Sequence, residues 1–200
     1  MAKSLMLILG GVRSGKSTLA QRKGEELGGK VLFVATGEAL DEEMAWRIQE
    51  HRRKRPKSWR TLEVSMNVGR KLGEQAGDSD VVILDCVTLL VSNITMHLAG
   101  LTVESIAPRV TANRVTNVEQ TEAARAEKLV MSEMQELITF ITEYVGTFIV
   151  ISNEVGLGLV PDNPLGRLYR DLLGKANQLL AHHAHEVYFM AAGIPVKIKG

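Results

Sequence analysis

The chain has 200 residues, 45% hydrophobic and 24% charged, the proportions of a soluble globular protein. That length suits one compact domain, 1–200, and leaves no room for two ordinary domains with a linker. A formal net charge of +1 gives no bulk electrostatic reason for nucleic-acid or anionic-membrane binding, and a single cysteine, Cys86, excludes an internal disulfide, so a cytoplasmic setting is expected.

Leu5–Leu9 opens the pattern as a continuous apolar run. It is too short for a signal-peptide core, lacks a small-residue cleavage site and leads directly into Gly10-Gly11, so it reads as a buried strand. No run approaches the roughly 20 apolar residues of a membrane helix. Gly10, Gly11, Val12, Arg13, Ser14, Gly15, Lys16 and Ser17 then satisfy G-x4-G-K-[ST], and Thr18-Leu19-Ala20 opens a helix. Glycines permit positive φ and close backbone approach, so successive N–H groups can face phosphate oxygens at a helix N-terminus. Lys16 is expected on the outer phosphates, and the Ser17 hydroxyl on Mg2+. A glycine-rich turn without a nucleotide is the bland alternative, disfavoured by the strand before the loop and the helix after it.

Val31–Ala35 reads as a second strand. The segment from Asp41 to Pro56 has an acidic start and a basic end, which suits a helix macrodipole, and Pro56 limits its extension. Arg47, His51 and Arg55 recur every four residues and share one face. In isolation this is a solvated charged helix; the sharper reading is a triphosphate-facing histidine among cations. Val81–Leu84 is a third strand, ending in Asp85, a carboxylate that can hold a metal through water or simply cap the strand. Cys86 reads as core packing.

From about 97 to 128, Gly100, Pro108 and scattered Thr and Asn break any long period, and the segment reads as a peripheral loop and helix insertion. Val130, Met134, Leu137, Ile138, Ile141 and Val145 form a helical stripe closed by Gly146. Phe148–Ile151 is a fourth strand, followed by Asn153 and Glu154 at the end where open parallel sheets place ligands. Pro161–Pro164 introduces a helix whose stripe runs from Leu165 to Leu180, with Arg167 and Arg170 on its polar side. His182, His183 and His185 lie at its C-terminal end, where histidine favours the dipole, so they read as solvated and not as a metal cluster. Val187–Met190 is a fifth strand, and Val196–Lys199 a short edge strand. Continuous apolar strands alternating with helices predict an α/β fold: a P-loop NTPase with a doubly wound, mostly parallel sheet, helices on both faces, RecA-like.

Several motifs occur together: the phosphate loop, Ala35-Thr36-Gly37, Arg47–Arg52, Arg55-Pro56, Trp59–Glu63 and Asn153–Pro161. They are followed by Gly166-Arg167, Tyr169-Arg170-Asp171, Gly174, Asn177-Gln178, Ala181 and Ala192–Pro195. In this combination the chain resembles the bifunctional adenosylcobinamide kinase and adenosylcobinamide-phosphate guanylyltransferase family of cobalamin biosynthesis, nearly everywhere outside 97–128. The resemblance implies two reactions: phosphorylation of the cobinamide hydroxyl by GTP or ATP, then transfer of GMP from GTP to that phosphate. It implies that His51 becomes guanylylated, with Lys16 catalytic beside it. It places nucleotide contacts at Gly10–Ser17, Ala35, Thr36, Gly37, Arg52, Arg53, Lys54, Arg55, Glu63 and Asp85. Asn153 and Glu154 fall to the substrate, and Ser17 and Asp85 to Mg2+; Asp85 stands where family members can carry Glu. The resemblance also implies a homotrimer acting on a corrinoid and a nucleotide.

The chemistry agrees. A nucleophilic imidazole must be neutral, and neighbouring guanidinium charges disfavour its protonated form, while the same cations can neutralise a triphosphate. Trp46 and Trp59 flank the basic helix and can wall a pocket or serve ordinary packing. The competing readings are a kinase for another small alcohol, with His51 merely exposed, and a nucleotide-dependent switch.

Overall fold

The computed structural model describes residues 4–39, 41–100 and 117–200, with the side chains of Lys54 and of 117–121 outside that description. Among the described residues the strands are β1 (Ser4–Gly10), β2 (Val31–Ala35), β3 (Arg60–Glu63), β4 (Val81–Asp85), β5 (Thr147–Ile151), β6 (Glu186–Ala191) and β7 (Ile194–Lys199). The helices are α1 (Lys16–Leu27), α2 (Glu42–Lys54), α3 (Val68–Gln75), α4 (Val87–Leu98), α5 (Asn117–Glu143) and α6 (Pro164–His183). The strands form one sheet in the order β3-β2-β4-β5-β1-β6-β7. All pairs are parallel except β6 with β7, so the expected edge strand is antiparallel and begins two residues earlier, at Ile194, with Pro195 inside it.

Both faces of the sheet are covered, which is why the central strands are apolar throughout instead of alternating. Leu5, Leu7 and Leu9 of β1 enter a large cluster with residues of α3, α4, α5 and α6, while Met6 and Ile8 enter a second one with Leu19 and Ala20 of α1. Each fully buried aliphatic side chain of this kind contributes about 1.5–3 kcal/mol. β4 and β5, both buried along nearly their whole length, hold the centre.

α2 differs from the other helices. Among its described side chains none is fully buried; Asp41 caps its N-terminus by accepting a hydrogen bond from Met44 N at 2.7 Å. It is therefore a charged helix lying at the C-terminal edge of the sheet, not a core element.

Two expectations need adjustment. Val145 does not continue the α5 stripe: the helix ends at Glu143, and Val145 is 70% exposed. There the chain turns into β5 at Gly146, where an added Cβ would lie 2.7 Å from Asp80 O. Of the segment expected as an insertion, residues 97 and 98 end α4 and 117–128 open α5, which buries Ala126; residues 101–116 lie outside the described residues.

Candidate functional site

β1 delivers the phosphate loop to the C-terminal edge of the sheet. Gly10 has φ +149°, and a Cβ on it would meet Met190 O at 2.7 Å and Ser14 Oγ at 2.8 Å, so the turn requires glycine. Gly15, at φ +95°, is the N-cap of α1, and Arg13 is left-handed at φ +57°. The loop thus ends on the N-terminus of a 12-residue helix, the arrangement that presents backbone N–H groups to an anion. Ser14 Oγ is buried without a partner among the described residues. Gly11 has open space where a Cβ would stand, and Val12 is exposed at the mouth.

Lys16 is buried in the first turn of α1 and donates from Nζ to Gly11 O at 2.6 Å, folded back over the loop. Burial pushes its ammonium group downward, while Cys86 and Asp85 act in the opposite sense. Ser17 Oγ donates to Asp85 Oδ2 at 2.9 Å, joining the loop to the end of β4. Burial pushes the Asp85 carboxyl up; the Ser17 hydroxyl and then His51, Arg55 and Lys16 favour its ionised form. A hydroxyl and a carboxylate oxygen in contact are donors that suit a hard cation completed by phosphate and water. Ser17 and Asp85 would hold Mg2+, which supplies charge neutralisation to a polyphosphate when bound.

The backbone beneath Asp85 is fixed by Thr36, which is fully buried. Cys86 N donates to Thr36 Oγ1 at 2.9 Å, Thr36 Oγ1 donates to Cys86 O at 2.7 Å, and Thr36 N donates to Asp85 O at 3.2 Å. Asn93 Nδ2 in turn donates to Thr36 O at 2.8 Å. Ala35 lies in register with both Asp85 and Glu63, and Gly37 faces Leu89 and Ile48. Thr36 therefore acts on the site through main chain. Burial pushes the Cys86 thiol up to about 12, in keeping with a packing role.

On α2, Arg47 pairs with Glu43 at 2.5 Å, so the face shared with His51 is partly self-neutralised, and Arg53 pairs with Glu50 at 2.8 Å. Arg52 donates Nε to Glu63 Oε1 at 2.8 Å and Nη2 to the same oxygen, tying α2 to β3. His51 is exposed on α2. Arg55, the C-cap of α2, is different: its guanidinium lies 3.9 Å above the Phe33 ring, and its Nε and Nη1 are buried without partners among the described residues. Burial pushes Arg55 down, opposed by Asp85 and Glu63. Unpaired buried guanidinium donors are costly, and an anion would satisfy them. Arg52, Arg55, Trp59 and Glu63 line a cleft of about 350 Å3, large enough for a nucleobase. Trp59 belongs to that wall; Trp46 is 62% exposed and does not line it. A cleft of about 400 Å3 at Asp78, Asp80 and Tyr144 opens at the opposite end of β4, so size alone does not mark the site.

β5 lies between β4 and β1, with Ile151 in register with both Asp85 and Ile8. Asn153 and Glu154 consequently leave the sheet between the carboxylate and the phosphate loop. Asn153 N donates to Thr88 Oγ1 at 2.7 Å, Asn177 Nδ2 donates to Asn153 O at 3.0 Å, and Glu154 N donates to Gly10 O at 3.1 Å. Arg167 donates to Pro161 O and Asp162 O, and Arg170 to Gly156 O at 3.0 Å, so both hold the following loop by its carbonyls instead of pairing with acids. Thr88 and Asn177, which sequence reasoning did not single out for the site, are buried polar groups whose partners lie far along the chain. His185 Nδ1 accepts from Leu5 N at 3.0 Å, a structural role for one of the three terminal histidines.

A family model described as cobinamide kinase / cobinamide phosphate guanyltransferase matches residues 6–198. The bifunctional adenosylcobalamin biosynthesis protein CobU of Salmonella typhimurium is 37% identical over 198 residues, covering 98% of this chain and 99% of that protein. The CobU protein of Escherichia coli K12 is 35% identical with the same coverage, and CobP of Pseudomonas aeruginosa is 36% identical over 97% of this chain and 96% of its own. Among solved structures, the RadB recombinase aligns with a TM-score of 0.43 at 17% identity, covering 94% of this chain and 74% of that one. With the model spanning nearly the whole length and relatives above one-third identity end to end, the chain belongs to the cobinamide kinase / cobinamide phosphate guanyltransferase family.

Proposed function

We propose that this protein phosphorylates adenosylcobinamide with GTP or ATP and then transfers GMP from GTP to the adenosylcobinamide phosphate, through a guanylylated His51, giving adenosylcobinamide-GDP in cobalamin biosynthesis. The observation that carries the reading is the join between the phosphate loop and the end of β4, where Ser17 donates to Asp85 at 2.9 Å, together with the buried Arg55 donors at the end of α2 that have no partner among the described residues. A polyphosphate in the loop would lie within the field of the α2 cations, and Arg55 has donors free among the described residues to receive it. Charge-assisted bonds of that type are worth about 1.5–3 kcal/mol each.

In the transferase half, His51 attacks the α-phosphorus as pyrophosphate leaves, and a corrinoid phosphate oxygen then displaces the histidine. Two displacements let one site release pyrophosphate before the bulky acceptor arrives, and ping-pong kinetics follow. Glu63 lines the base cleft and holds Arg52 beside it, and Asn153 and Glu154 contact the corrinoid side. The same reading includes Mg2+ held by Ser17 and Asp85 and a cytoplasmic homotrimer, the latter measurable by sedimentation equilibrium. Among the described residues no helix is long and apolar enough to cross a membrane.

Incubation with GTP labelled at the α-phosphate tests the proposal. An acid-labile, alkali-stable protein label that is missing from His51→Ala is expected. Kinase turnover without label would leave a kinase for a small alcohol. Nucleotide hydrolysis indifferent to added cobinamide would leave a regulatory switch.

A further inference from the structure

We infer that Glu154 is the proton acceptor for the substrate hydroxyl in the phosphorylation step, so that the two reactions depend on different side chains, Glu154 for one and His51 for the other. The inference rests on the kinase half of the proposed function and gives a chemical role to a residue otherwise read only as a contact.

Topology supplies the first reason. Ile151 is in register with Ile8 on one side and Asp85 on the other, so the chain beyond it emerges between the phosphate loop and the end of β4. Glu154 N then donates to Gly10 O at 3.1 Å, fixing the residue at the first glycine of the loop. An acceptor alcohol must reach the terminal phosphate from outside the loop, and Glu154 borders that approach.

Division of labour supplies the second. Asp85 receives the Ser17 hydroxyl on Oδ2 at 2.9 Å, so that carboxylate is already engaged on the phosphate-loop side of the site. Its place there sets it apart from the side on which an acceptor alcohol arrives. Glu154 is half-buried, and its Oε1 accepts from Gly156 N at 2.6 Å, while no described donor falls on Oε2. One oxygen is anchored and the other is open, the condition for a positioned general base.

The anchor is itself supported. Arg170 donates to Gly156 O at 3.0 Å, and Thr88 and Asn177 clamp the two sides of Asn153. Just beyond, Leu157 and Leu159 are 81% and 95% exposed, an apolar margin suited to an acceptor that carries its hydroxyl on a large nonpolar body.

In the step, the substrate O–H proton passes to Glu154 Oε2 while the substrate hydroxyl oxygen bonds to the γ-phosphorus. The bond from the γ-phosphorus to the β,γ-bridging oxygen breaks, the nucleoside diphosphate leaves with the electron pair, and the carboxylic acid returns its proton to water. Guanylylation of His51 involves no alcohol and does not require Glu154.

Glu154→Gln tests this directly, because the amide oxygen can still accept from Gly156 N. With cobinamide and nucleotide varied, kcat for phosphorylation is expected to fall about 100-fold with both KM values within about twofold, while α-labelled GTP modifies His51 at the wild-type rate. A kcat within about threefold of wild type overturns the inference, as does a raised KM at unchanged kcat, which is the signature of a contact. Parallel loss of phosphorylation and labelling also overturns it, since Glu154 would then merely support the shared loop. Wild-type protein that fails to phosphorylate cobinamide defeats the kinase reading itself, and the inference falls with it.

Discussion

Thr36→Val removes a hydroxyl and keeps the shape, and the cost can be worked from its partners. Cys86 N loses the acceptor it has at 2.9 Å, while Cys86 O loses a donor at 2.7 Å but keeps Leu90 N at 3.2 Å. The site is fully buried, so water does not replace the lost oxygen. One orphaned buried amide costs about 1–3 kcal/mol, and a half-deprived carbonyl adds about 1 kcal/mol at most, giving roughly 1–4 kcal/mol in total. For a chain of this size the fall in Tm is roughly 2–16 °C, readable by thermal circular dichroism. Because the same bonds hold the main chain under Asp85, nucleotide affinity should fall alongside stability. A Tm within about 1 °C of wild type would refute the reasoning and return Thr36 to a direct contact with ligand.

Arg55→Met keeps much of the stacking on Phe33 and deletes the donors; loss of one charge-assisted bond predicts GTP binding weaker by about 10–150-fold in calorimetry, and a change below threefold contradicts the anion seat. Glu133 on α5 accepts from Asn67 N at 3.0 Å and Val68 N at 2.6 Å, capping α3, so Glu133→Ala should cost about 1–3 kcal/mol in urea denaturation. Burial raises the Glu133 carboxyl above its unfolded value. Its contribution to stability is therefore complete below the ordinary glutamate range and is lost as pH rises through the raised value, and Glu133→Gln should flatten that limb of the stability curve.

The phosphate loop was legible because its chemistry is contiguous: glycines, lysine and serine at fixed spacing between a strand and a helix report one local geometry. The central strands were legible because burial on both faces leaves an unbroken apolar run. β3 was not, since only Leu62 of its four residues is buried and the rest of Arg60–Glu63 is polar. α3 was equally hidden: Asn67 makes no side-chain cap, and the group that satisfies its N-terminus is Glu133, far along the chain. Charge spacing put Arg47, His51 and Arg55 on one face, yet it could not separate Arg47, bound within its own helix, from Arg55, stacked on β2 and unpaired among the described residues. Thr36 was visible only through resemblance, and its support of Cys86 is tertiary. Arg167 and Arg170 could be placed only on the polar side of their helix, because carbonyl partners leave no mark in sequence.

The central claim is a covalent guanylyl group carried by one imidazole. Peptide mapping by mass spectrometry after brief exposure to GTP and Mg2+ tests it, with a chase by cobinamide phosphate. The adduct is predicted on the peptide containing His51, discharged by the chase and missing from His51→Ala together with adenosylcobinamide-GDP formation. An adduct elsewhere, or product forming at the wild-type rate in His51→Ala, would contradict the account.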